Sequence, residues 1–125
     1  MIELTKKTKK QLRELMIKAY AKELDELLVA LSNKFDAWKN HQIDCWELEE
    51  VIHKFHNGHA KKLFNYYNSK VDPILIISRV LAKNLIQKEE IPDEALPYVE
   101  GCIHLFKEDD NDEFPALFTF SSTLT

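Results

Sequence analysis

Glycine is nearly missing from this chain: there are two in 125 residues, with four prolines. Strand-rich folds need more turn residues than that, so with 30% charged residues the balance is that of a helical protein. Two glycines also exclude a Gly-rich phosphate loop and a Rossmann fingerprint, which need several at fixed spacing. Cys45 and Cys102 stand apart without CxxC spacing, which argues against a disulfide framework or a thiolate zinc site. No apolar run approaches the ~20 residues that span a bilayer. The amino terminus has lysines without the apolar segment of a signal peptide. A cytoplasmic protein with no membrane contact is therefore expected. No serine or cysteine sits in a recognisable nucleophile motif, so an enzyme is not the favoured reading.

What is present is amphipathic helix. The 45% hydrophobic content suits one domain, taken as residues 1–108, with 109–125 as a flexible acidic tail whose Phe114, Leu117, Phe118 and Phe120 can dock in a groove. Within the domain the periodicity predicts an all-α bundle of four main helices. Thr5 or Thr8 caps a first helix running to about Lys39, with Ile17, Tyr20, Leu24, Leu27, Leu28, Leu31, Phe35 and Trp38 on one stripe. After a short polar turn, Asp44 and Glu47 form a capping box for a second helix reaching Tyr67, its core stripe being Leu48, Ile52, Phe55, His59, Leu63 and Tyr66. So short a connection joins antiparallel neighbours, so the chain opens with a long hairpin, and Phe35, Trp38 and Trp46 gather at its closed end. Asp72-Pro73 then starts a third, strongly apolar helix that ends at Glu89 to Pro92. A last helix covers Asp93 to Lys107 with Leu96, Val99, Ile103 and Phe106 inward.

A second apolar set, Trp46, Ala60 and Phe64, lies round one flank of the second helix, and between the two sets Glu49, His53 and His56 share a half-buried seam at helical steps of four and three. Imidazole and carboxylate converging in this way can hold a divalent transition metal. Glu100 and His104 are a further four-apart pair, and Glu23 or Glu26 could also contribute. Glu50 with His53 matches the Glu-x-x-His element of di-iron bundles, but no second copy of it exists. The plainer reading makes Glu49 and His53 an ordinary helical pair, His56 a seam residue and His59 a core residue. Gly58 lies beside the cluster and raises the question of a bend there.

Charge is unevenly placed. The first 22 residues carry Lys6, Lys7, Lys9, Lys10, Arg13, Lys18 and Lys22 against Glu3 and Glu14, in a chain of net charge −4. Cations at a helix start oppose its dipole, so a compensating partner is expected. Nucleic acid is one candidate. Glu89 to Glu113, however, holds ten acids beside Lys107 alone, so docking within the chain or between copies would account for both ends, while the plainest reading is a solvated basic surface.

The strings Gln11-Leu12-Arg13-Glu14-Leu15, Ala19-Tyr20, Glu23-Leu24, Ile43-Asp44 and Ile52-His53-Lys54-Phe55-His56-Asn57-Gly58, with Leu63, resemble a group of small uncharacterised bacterial proteins. The resemblance spans Thr5 to Lys107, implies a helical fold, and brings no activity, ligand or site residue. The favoured reading is a binding or interaction module that meets a second copy or a protein partner through its helix faces. The alternative is a metal-binding protein using Glu49, His53 and His56, and the third is nucleic-acid binding through the first helix.

Overall fold

The structure is a computed structural model that describes residues 3–107, so the expectation for the acidic tail lies outside the described residues. Among the described residues there is helix and no strand. The helical stretches are α1 (Lys6–Lys39), α2 (Cys45–Lys54) continued through a π turn (Phe55–Ala60) into α3 (Lys61–Tyr67), then α4 (Pro73–Ala82), and α5 (Leu96–Cys102) with α6 (His104–Lys107). They fall into two compact units, one drawn from residues 3–22 and 69–107, the other from 23–68.

In the first unit, α1 begins where Thr5 Oγ1 accepts the Thr8 amide at 3.2 Å, a side-chain cap of the expected kind. Thr8, Leu12, Leu15 and Ala19 are buried at steps of four, three and four. The expected stripe only partly coincides with the buried line of α1: its Leu27 is buried, but Ile17 is 68% exposed. Ranking by large apolar residues passes over Thr8 and Ala19, whose small side chains allow close packing.

Helix α4 starts as read from the sequence: Asp72 Oδ1 accepts the Ile74 amide at 2.9 Å and Pro73 takes the first position. Ile74, Ile76, Ile77, Ser78, Arg79 and Val80 are all buried. Burial of each large aliphatic side chain contributes about 1.5–3 kcal/mol. Ser78 answers its own burial by donating to the Ile74 carbonyl at 2.6 Å.

The helix stops at Ala82, short of the expected end. Asn84 adopts φ 61°, its amide bonds the Leu81 carbonyl, and the Leu85 amide reaches back to Val80. This is a Schellman cap with asparagine where glycine is commoner. Leu85 and Ile86, which looked like helix, are instead buried just after it. A 3₁₀ turn (Lys88–Glu90) follows, with Gln87 and Glu90 forming a capping box. Pro97 sits in the first turn of α5 as expected, and Val99 is its fully buried residue.

In the second unit, the buried line of α1 continues through Glu23, Leu27, Ala30 and Lys34. Ala30 and Val51 form a buried pair with Leu31 and Phe55 packed against it, and Tyr67 Oη donates to Glu23 Oε2 at 2.7 Å. Helix α1 ends in a second Schellman cap: His41 has φ 60°, and the Gln42 amide bonds the Ala37 carbonyl at 2.8 Å. Asp44 then caps α2, accepting the Glu47 amide at 2.8 Å.

Candidate functional site

The π turn is the unusual element of the second unit, and its cause is legible in the spacing of apolar residues. Val51, Phe55, His59, Leu63 and Tyr67 recur every fourth residue. At about 100° per residue, each step of four overshoots a full turn by about 40°, so an unbroken α-helix would carry this line off its neighbour. A turn with i→i+5 bonds is wider and takes up the drift. Val51, Leu63 and Tyr67 are thereby buried, with Phe55 and His59 half-buried. The expected stripe took Ile52 and Tyr66 in place of Val51 and Tyr67. Ile52 is 40% exposed, and Tyr66 is half-buried with its ring edge-on to Tyr67 at 5.2 Å.

Backbone dihedrals remain right-handed helical at Lys54, Phe55, Ala60 and Lys61, so the stretch from Cys45 to Tyr67 is one continuous helix with a widened middle. Gly58 lies within that widened part rather than at a break in helical conformation. An open depression is lined there by His53, Lys54, Asn57, Gly58 and His59. Burial lowers the pKa of His59 most, and repulsion from Lys62 and then Lys54 adds to it, so its imidazole stays neutral further into acid than a free one. From Val51 to Val71 the chain contains no Asp or Glu, four lysines and three histidines. This helix is therefore locally cationic in a chain of net charge −4.

Glu49, His53 and His56 are all exposed, where a half-buried seam was expected. The His53 Nε2 to Glu49 Oε1 distance is 3.9 Å, that of a loose i,i+4 pair. Lys54 and Glu50 make a similar pair at 3.1 Å. Glu100 accepts from Lys88 Nζ at 2.7 Å, which raises the lysine pKa, and His104 is exposed at the start of α6. Among the described residues, no three His, Cys, Asp or Glu side chains are grouped as a metal site.

The aromatic cluster expected at the α1–α2 connection is not buried: Trp46 is 73% and Trp38 41% exposed. The basic start of α1 does meet an acid. Glu94 accepts the Thr5 amide at 2.7 Å and the hydroxyls of Thr5 and Thr8, each at 3.0 Å. The backbone bond first, then those to Thr8 and Thr5, hold the Glu94 carboxyl below the usual carboxylate range. Glu90 takes an ion pair from Lys18 and the Gln87 amide, which lower its pKa in that order. Lys22 donates to the Leu85 carbonyl at 2.6 Å. Lys6, Lys7, Lys9, Lys10 and Arg13 remain exposed.

What sequence reasoning missed was the π turn at Phe55–Ala60 and the acid-free run around it; the signal was the four-residue apolar period, which does not fit an α-helix. No helix among the described residues is long and apolar enough to cross a membrane. No family model, curated protein or solved structure matches this chain.

Proposed function

We propose that the chain is a helical binding module, without catalytic action of its own, that pairs with a second copy through the outer face of its 45–67 helix. The exposure of Trp46 at 73% and Phe64 at 53% carries the reading, because two large aromatic side chains on one helix are left without cover. Residues 23–68 form an antiparallel hairpin that presents this face, a reading supported by the Ala30–Val51 pair and the Tyr67–Glu23 bond. Charge favours self-recognition: Glu47, Glu49 and Glu50 lie in the first half of the helix, Lys61 and Lys62 in the second. A two-fold, antiparallel apposition sets each half against its opposite. Sedimentation equilibrium tests this. Association that Trp46→Glu with Phe64→Glu abolishes is the expected result; a 14.7 kDa species at every micromolar concentration overturns it.

A second reading, a divalent transition metal held by Glu49, His53 and His56, is supported by their helical spacing alone, since the three side chains are exposed and ungrouped. Metal content of untagged protein, measured beside a His53→Ala, His56→Ala double variant, decides it. About one equivalent lost in a still-folded variant would favour metal over the interaction reading.

A further inference from the structure

Gly58 has no structural reason to be glycine. Its φ is not positive, so the backbone does not demand it. A Cβ built on it meets no atom within 4 Å, so no close packing demands it either. Inside a helix, glycine costs about 1 kcal/mol relative to alanine. What its missing side chain does provide is space, because Gly58 lines the depression of the π turn.

The other groups lining that space are Lys54, His53, Asn57 and His59, and each can donate a hydrogen bond. None is a carboxylate, but Glu50 pairs with Lys54 at 3.1 Å and Glu49 with His53 at 3.9 Å, so a bound anion would take the place of these two exposed pairs. Lys62 and Lys54 add, after burial, to the lowering of the His59 pKa. Several exposed donors around an open floor suit a compact polyvalent oxyanion better than an apolar ligand.

We propose that this depression binds a small phosphoryl-bearing anion, whose oxygens accept from Lys54, Asn57 and His53 over the bare backbone of Gly58. The site rests on the exposure of the 45–67 helix, and it adds to the self-association reading. In the antiparallel pair the two cationic π turns lie near the centre and repel, and bound anions offset that repulsion.

Inorganic pyrophosphate is the probe, titrated into the full chain at fixed ionic strength. Amide and imidazole NMR shifts report the site, and sedimentation of the same samples reports association. Saturable shifts at His53, Asn57, Gly58 and His59 are expected. Gly58→Ala should raise the melting temperature yet weaken binding by about tenfold, and Lys54→Gln should weaken binding with the melting temperature nearly kept. This opposition of stability and affinity is what a merely structural glycine cannot produce. A Gly58→Ala protein that binds as well as the parent overturns the proposal, as do shifts confined to Lys6 through Arg13. Binding at the π turn with only a 14.7 kDa species present keeps the anion site and removes self-association. Self-association without shifts at the π turn keeps the pairing and removes the anion site.

Discussion

The unit of residues 3–22 and 69–107 and the unit of residues 23–68 are made of the same material, amphipathic helix, but cover their inner helices to different extents. The first buries nearly every face of α4, caps both its ends, and ties the start of α1 to Glu94. The second buries a single line on its long helix and leaves Trp46, Ile52 and Phe64 at 73%, 40% and 53% exposure. It also interrupts that helix with a π turn and a glycine that packing does not need. The first unit also exposes Ile17, Tyr98 and Leu105, so the contrast lies in the helix each surrounds: α4 is covered on nearly every side, the 45–67 helix on one.

Substitution in the two cores should separate them most. Ile77→Ala, at a fully buried position of α4, should cost about 2–5 kcal/mol in urea denaturation. Ile52→Ala, on the exposed side of α2, should cost no more than about 0.5–1 kcal/mol. Both are read at a protein concentration where the chain is monomeric; equal costs there would break the comparison, since the outer face of α2 would then be covered within the chain.

A smaller effect is expected at the end of α1. His41 holds φ 60°, which a glycine adopts without steric cost. His41→Gly should therefore stabilise by up to about 1 kcal/mol, read as a shift of the urea midpoint with an unchanged slope. A loss of stability would show that the His41 side chain makes a contact worth more than the relief of strain.

The smallest effect should be the acid limb of the first unit. Glu90 and Glu94 both have folded pKa values below their unfolded ones. Their stabilisation is thus complete above the unfolded value of about 4.3 and is lost as pH falls through the folded values. Both carboxylates are solvent-screened, so the limb should be shallow. Glu90→Gln with Glu94→Gln should flatten it further; an unaltered limb would assign the acid sensitivity to other carboxylates.

The starts of helices were legible from residues alone. Thr5, Asp44 and Asp72-Pro73 act through bonds that span two or three positions of the chain, so their chemistry is complete within a short string. The helix stops were less so: Asn84 ends α4 ahead of Leu85 and Ile86 because apolar residues can be buried equally well after a helix as within it. The pairing of Glu49 with His53 was also legible, being a helical step of four, whereas its exposure was not.

The sequence by itself determined that the described residues are helical and where the helices begin. Those follow from local hydrogen bonding and backbone propensity. Only the tertiary structure decided that Ala19 and Val51 face inward while Ile17 and Ile52 do not. It also chose Glu94 among the many acids and widened the helix at Gly58. Each of these depends on which surface lies opposite, and residues distant in the chain supply that surface.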